Sequence, residues 1–371
     1  MIGKKVVVIN SDRRTISARV LNISEILSEN GYLVRILTWD RQNNFETEEI
    51  VSGIQVHNYK FNLQSDNTIR MLFAYLHWWI FVVYYLVKSD SHIYHPLSIY
   101  NVIPCILAKT VKRSKLIYDI TDFAADSLNC PKLVQSLLAL FENACLYFAD
   151  AVIIVDEHRR SQINMKRVKK MAVVMNTPSD IFGAYVPKIG SNIITIYYGG
   201  WLNETRGILD ICRAINGLNN VNLIVAGFGP EEGTIKKLAM ETTNIEYLGL
   251  LSKEESLKRV SSATAICAFY DPKLKINRLA SPNKLFDAMM CSTAVIANRE
   301  ALPVAEIIEE SKCGMLVTYG NINEIIDAIE SLRDTDLVNR MGLNGRKAFD
   351  ANYSRDIMAE RLIELYSSVD C

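Results

Sequence analysis

Neither sign of charge dominates this chain of 371 residues: lysine plus arginine number 41, and aspartate plus glutamate also number 41. A formally neutral protein has no global field to draw it to nucleic acid, so any partner must be held by local features. Histidine is scarce, at five residues, and the eight cysteines (105, 130, 145, 212, 267, 291, 313 and 371) form no CxxC pair and sit beside no histidine cluster. That pattern argues against a metal site, predicts no cofactor, and reads as buried, reduced thiols of a cytoplasmic protein. Low-complexity tracts and tandem repeats are missing too. The opening MIGKKVVVIN runs straight into a strand-like segment without signal-peptide architecture, which predicts that the protein stays on the side where it is made.

Long hydrophobic runs are absent, with one exception. MLFAYLHWWIFVVYYLV, 71–87, lies between Arg70 and Lys88. As a helix it would be about 25 Å long, at the short edge of a bilayer span, and it holds His77 and three tyrosines. Three placements stay open: packing against its own domain, lying in a membrane interface as a peripheral contact through 70–88, or spanning. Trp78 and Trp79 are the residues an interfacial contact would engage.

What is present is an alternation. Strand-like runs at 5–10, 33–39, 54–59, 92–95, 115–119, 151–155 and 171–176 are separated by helical patterns at 14–30, 70–88, 98–111 and 131–148. TPSDIFGAYVPKIGSN breaks the rhythm, and a second series follows at 193–198, 221–227, 245–249, 264–269, 293–298 and 314–318. Such alternation predicts an α/β protein of two doubly wound lobes, which bind ligands at the carboxyl ends of their strands. The expected division is a first domain over 1–177, a linker over 178–192, a second domain over 193–352 and a closing helix over 353–371.

Two helix starts carry bases where the dipole prefers acids. In SPNKLFDAMM, Ser281 is a good N-cap, Pro282 suits the first helical position, and Lys284 falls in the first turn. An anion would reverse the mismatch, seated by free N–H groups, the Ser281 hydroxyl, the Asn283 amide and Lys284. Asp287 lies one turn deeper on the same face; it either accepts from ribose hydroxyls or pairs with Lys284. In YYGGWLNETRG, Gly199 and Gly200 allow close backbone approach, and Asn203 to Thr205 can cap a helix starting near Arg206. Two such bases suit a diphosphate. VAGFGPEEG instead places Glu231 and Glu232 at its helix start, so Gly227 reads as part of a pocket wall near the nucleoside. Asp334–Thr335–Asp336 matches a DxD pattern but lies in a polar, helix-rich stretch late in the sequence.

These motifs, with TWDR (38–41), YDITD (118–122) and the closing NGRKAFDANYSRDIMAERLIELY, resemble the retaining glycosyltransferases of family 4 over nearly the whole chain. The resemblance implies the GT-B fold: two Rossmann-like lobes, a cleft between them and a C-terminal helix returning to the first. It implies that Arg206 and Lys284 hold and stabilise the donor diphosphate as catalytic groups, with Gly199, Gly200, Gly227, Ser281, Asn283 and Asp287 around the donor nucleotide. Asp122, His95 and Asp271 become candidates in catalysis or in binding sugar and acceptor. The chain departs from the pattern at Leu279, where an acid is usual, at Gly200, where a second base is frequent, and at Thr121, where histidine is frequent. The implied reaction moves a sugar from a nucleotide diphosphate, UDP-sugar in preference to GDP-sugar, to a hydroxyl of a glycan or lipid-linked acceptor with retention. The alternatives are a non-catalytic nucleotide-sugar-binding subunit and a nucleotide-sugar epimerase.

Overall fold

The computed structural model describes residues 3–11, 16–63, 68–127, 131–185, 187–188, 191–280 and 283–369. They fall into two compact units, Met1–Asn176 with Met358–Cys371, and Thr177–Ile357.

The first unit is built on β1 (Lys5–Asn10), β2 (Leu33–Asp40), β3 (Glu48–Val51), β4 (Ile54–Lys60), β5 (Ile93–Pro96), β6 (Lys115–Ile120), β7 (Ala151–Ile154) and β8 (Met171–Val173), in the order β3-β4-β2-β1-β5-β6-β7-β8. Val6, Val7, Val8 and Ile9 are all buried, the mark of a central parallel strand covered on both faces. Among the described residues only β3 runs antiparallel, pairing with β4 through Ser52 and Gly53, both at positive φ as a two-residue hairpin turn requires. This edge strand was not anticipated from the sequence. Its EEIV has no apolar alternation to mark it.

The unit's helices are α1 (Ala18–Glu29), α2 (Thr68–Lys88), α3 (Ile99–Val111), α4 (Ala124–Ser127) and α5 (Lys132–Phe148). The chain first steps from β1 outward to β2 and β4, then from β4 back across to β5, β6 and β7. Right-handed crossovers therefore put α1 on one face of the sheet and α2, α3 and α5 together on the other. Ala74, Trp78, Val82 and Leu86 form the buried stripe of α2. Its two tryptophans bond to α3: Trp78 Nε1 donates to Asn101 Oδ1 (2.9 Å) and Trp79 Nε1 to the Tyr100 carbonyl (2.8 Å).

The last helix, α14 in chain order (Arg355–Val369), completes this unit. Tyr366 is fully buried, meets Tyr32 edge to face at 5.3 Å, and shares a 2.6 Å hydrogen bond with His95 Nδ1.

The second unit holds β9 (Ile194–Trp201), β10 (Val221–Phe228), β11 (Ile245–Tyr247), β12 (Ala265–Ala268), β13 (Ala294–Asn298) and β14 (Gly314–Val317), all parallel, in the order β11-β10-β9-β12-β13-β14. Between and after them run α6 (Ile208–Ile215), α7 (Glu232–Glu241), α8 (Lys253–Ser262), α9 (Lys275–Arg278), α10 (Asn283–Met290), α11 (Leu302–Ser311), α12 (Ile322–Ser331) and α13 (Thr335–Ala348). Strand order reverses between β9 and β12, and ligands of doubly wound sheets bind outside the strand ends at such a switch point. Parts of the 178–192 segment are tied to this unit: Asp180 pairs with Arg346, and Lys188 Nζ donates to the Ser261 carbonyl and to Thr293 Oγ1.

Candidate functional site

At the switch point β9 runs on beyond the sheet as Gly199-Gly200-Trp201, still paired with β10, with Gly200 opposite Gly227 and Trp201 opposite Phe228. A Cβ on Gly227 would lie 1.8 Å from the Gly200 carbonyl oxygen, so only glycine permits this approach. Asn203 Oδ1 then accepts from the Thr205 N–H (2.8 Å), closing a single 3-10 turn over Glu204–Arg206. Arg206 therefore precedes α6 and does not open it. Gly207, left-handed at φ +66, stops the turn and starts the helix one residue later.

The turn is tied to the strand beside it, since the Asp271 N–H donates to the Thr205 carbonyl (2.9 Å). Tyr270, held by its N–H to Asn298 Oδ1 (2.8 Å), thereby lies beneath the Arg206 guanidinium, 4.5 Å from ring centroid to Cζ. Asp271 itself spends its carboxylate on the Lys273 N–H (2.9 Å), which shapes the loop leading to α9. Leu279 ends that helix half-buried, with no acid in its place.

Lys284 is the second residue of α10; Ser281 and Pro282 lie outside the described residues. Its ammonium sits 3.7 Å from the centre of the Tyr198 ring. Gly200 makes the room: a Cβ there would meet Lys284 Cε at 3.1 Å, so the Lys284 stem occupies the space a larger residue would need. Burial, and then the positive charge of Arg206, push Lys284 down to about 7. Among the described residues no carboxylate lies within ion-pair distance of Arg206 or Lys284. Asn283, on the same turn, is exposed.

Asp287 is buried and does not pair with Lys284. Both its oxygens accept from Lys253 Nζ, at 2.7 and 2.5 Å. Lys253 opens α8 behind a capping box of Ser252 and Glu255, 34 residues away in sequence, and reading the sequence missed it. Burial raises the Asp287 carboxyl above its ordinary value in spite of Lys253. Lys253→Met will accordingly destabilise the fold by about 1–3 kcal/mol, the cost of a buried group left unpaired. The loss will grow from pH 5 to pH 8 as the orphaned acid is forced to ionise, and adding Asp287→Asn will recover most of it. Urea melts of the three variants check this, and a Lys253→Met curve identical to the parent at both pH values refutes it.

The first-unit candidates have other partners. His95, fully buried at the end of β5, lies between Tyr366 and Asp119 (3.4 Å). Asp119 takes a bidentate pair from Arg19 at 2.7 Å. Burial pushes the Asp119 carboxyl up, but the Arg19 charge and the His95 bond outweigh it and hold it below the usual range. Asp122 is exposed and accepts from Arg159 (3.0 Å). The start of α4 is capped instead by Glu142, which accepts from the Ala124 N–H (2.9 Å) and the Tyr118 hydroxyl (3.0 Å) and which burial pushes up to about 7. Asp334, from the DxD pattern, is the N-cap of α13, accepting from the Asp336 and Leu337 N–H groups.

Residues 193–335 match the family model described as Glycosyl transferases group 1. No curated protein sequence matches. Among solved structures the chain is similar to sucrose-phosphate synthase from Thermosynechococcus elongatus, at 15% identity and a TM-score of 0.79 over 99% of each chain. It is similar to Anabaena HepE in complex with UDP and glucose, at 14% identity and a TM-score of 0.73 over 98% of this chain and 100% of that one. A mutant of S. aureus TarM in complex with Fondaparinux, alpha-GlcNAc-glycerol and UDP is similar at 13% identity and 0.71, over 98% and 99%. The two doubly wound units, each with its strand order reversed beside its first strand, and this likeness along nearly the full length give the chain the GT-B fold.

Proposed function

We propose that this protein is a retaining glycosyltransferase of family 4, which moves a sugar from a UDP-sugar to a hydroxyl of a glycan or lipid-linked acceptor in surface-polysaccharide synthesis, at the cytoplasmic face of the membrane. The observation that carries the reading is the pair of cations at the switch point. Arg206 and Lys284 each rest on an aromatic face, and each raises the other's electrostatic cost. A diphosphate placed between them removes that cost and gains charge-assisted hydrogen bonds. HepE and TarM were solved with UDP, which favours uridine as the base.

In the proposed reaction the bond from the sugar's anomeric carbon to the β-phosphate oxygen breaks, and the acceptor oxygen bonds to the same face. The acceptor's proton passes to the departing phosphate oxygen. Arg206 and Lys284 take up the negative charge that grows on the leaving group, the kind of preorganised stabilisation that lowers such a barrier most. The three departures at Leu279, Gly200 and Thr121 keep a non-catalytic donor-binding subunit as the second reading.

Calorimetric titration with UDP and with GDP, paired with UDP-sugar turnover, tests both. UDP is expected to bind more tightly than GDP. Because Lys284 has a free-state value of about 7 and must be protonated to meet the diphosphate, UDP affinity will fall as pH rises above about 7, approaching tenfold per unit. Lys284→Arg will flatten that fall. Binding of neither nucleotide sinks the proposal, and binding without transfer or hydrolysis supports the second reading.

A further inference from the structure

We propose that Asp287 is a positioning residue that acts on the Lys284 ammonium from behind the donor seat, keeping it charged for the diphosphate, and that it makes no contact with the donor itself. What that charge serves rests on the donor reading above; the coupling of the two side chains does not.

Lys284 and Asp287 stand three residues apart on α10, on one face of the helix. Both line a cavity of about 20 Å³, whose wall also takes in Tyr197, Gly199, Ser256 and Cys267. A space of that size admits one water and no sugar ring. The Tyr197 and Ser256 hydroxyls are bonded to each other (2.9 Å), and the Tyr197 ring crowds Gly199, where a Cβ would meet its hydroxyl at 2.8 Å. The Asp287 side chain is buried and turns both oxygens to Lys253 Nζ. Accepting from a ribose would require giving up that pair.

The charges around the cavity show what the carboxylate does instead. Lys284 is faced by Arg206 from the turn before α6, by the Tyr198 ring of β9, by the Cys267 thiol of β12 and by Asp287. Burial and Arg206 oppose its charge. Cys267 cannot offset them at neutral pH, because burial pushes its thiol up to about 12 and keeps it protonated. Asp287 can. It is faced by Lys253 from α8, by Tyr197 from β9 and by the Cys291 thiol, which burial also pushes up to about 12. Burial raises the Asp287 carboxyl, and Lys253 and Lys284 act against that rise, so the pair with Lys253 favours the anion. An anion across so small a space, beyond ion-pair distance but not screened by bulk water, favours the protonated ammonium. The acid thus tunes a cation that meets the ligand while staying out of the ligand's reach.

The test reads Lys284 directly and then through its ligand. In protein labelled with carbon-13 lysine, the ε-carbon resonance lost in Lys284→Arg assigns Lys284, and a pH titration without nucleotide gives its midpoint. Asp287→Asn should lower that midpoint by about one pH unit. Lys253→Met/Asp287→Asn, which leaves neither partner of the pair charged, should lower it too, so that a folding defect is not the cause. Calorimetry against UDP and against inorganic pyrophosphate should show affinity falling from a correspondingly lower pH in Asp287→Asn with both ligands, since pyrophosphate has no ribose. In a Lys284→Arg background, Asp287→Asn should leave either pH profile unmoved. An unchanged Lys284 midpoint in both Asp287 variants overturns the proposal. So does a loss of UDP affinity that is uniform with pH and absent for pyrophosphate, which would make Asp287 a ribose contact. A lowered midpoint in a protein that binds neither ligand would uphold the coupling and count against the donor seat.

Discussion

Arg206→Ala and Lys284→Ala will each weaken UDP binding by about 10- to 100-fold, the loss of one charge-assisted hydrogen bond of about 1.5–3 kcal/mol. Turnover will fall further, by about 100- to 1,000-fold, because the leaving diphosphate carries more negative charge on its bridging oxygen in the transition state than in the bound donor. The two side chains also pack on rings, so alanine removes contact area along with charge. Lys284→Met separates the effects: it keeps the stem that fills the space over Gly200 and the Tyr198 ring, and loses only the ammonium. Affinity of Lys284→Met close to that of Lys284→Ala assigns the loss to charge. Arg206→Lys will recover part of the binding, since a single ammonium cannot reproduce a planar fork of donors. Nucleotide affinities equal to the parent in both alanine variants would remove the proposed seat.

Gly227→Ala will cost about 3–5 kcal/mol of stability, at the severe end of single substitutions. Two penalties combine. At φ +135 the backbone of Gly227 lies where side chains are strained, and the new Cβ would overlap the Gly200 carbonyl oxygen at 1.8 Å. Relief requires β9 and β10 to part beyond the sheet, which carries Trp201, Leu202 and the Arg206 turn away from Lys284. A melt lowered by roughly 6–20 °C is expected, with UDP affinity lost in whatever folds. Gly233→Ala is the control: its Cβ would meet nothing within 4 Å inside α7, and a small gain is expected. Equal melts for the two variants would mean that the β9–β10 approach is softer than its geometry.

The strands were legible because parallel strands buried on both faces read as short β-branched runs, and β1, β7 and β13 are of that kind. The edge strand β3 was not, because half of its residues face solvent. At the site, the mismatch between base and helix dipole pointed to Lys284 and Arg206, but not to how each is held. Tyr198 and Tyr270 come from the ends of two different strands, and nothing local announces that a ring will lie under a cation. Lys253 was invisible for the same reason: its pairing with Asp287 depends on how α8 and α10 pack. His95 shows the reverse case, a residue type suggestive of chemistry that tertiary contacts place inside a core.

The return of α14 to the first unit affects how the protein is made. The second unit is continuous in sequence and can close as soon as its last strand and helices leave the ribosome. The first unit precedes the second in sequence yet lacks Tyr366, the partner of His95 and Tyr32, until the segment beyond the second unit emerges. Although domains generally fold in the order of synthesis, here the unit made first is finished last. Until α14 follows, the first unit waits on a core still missing one wall.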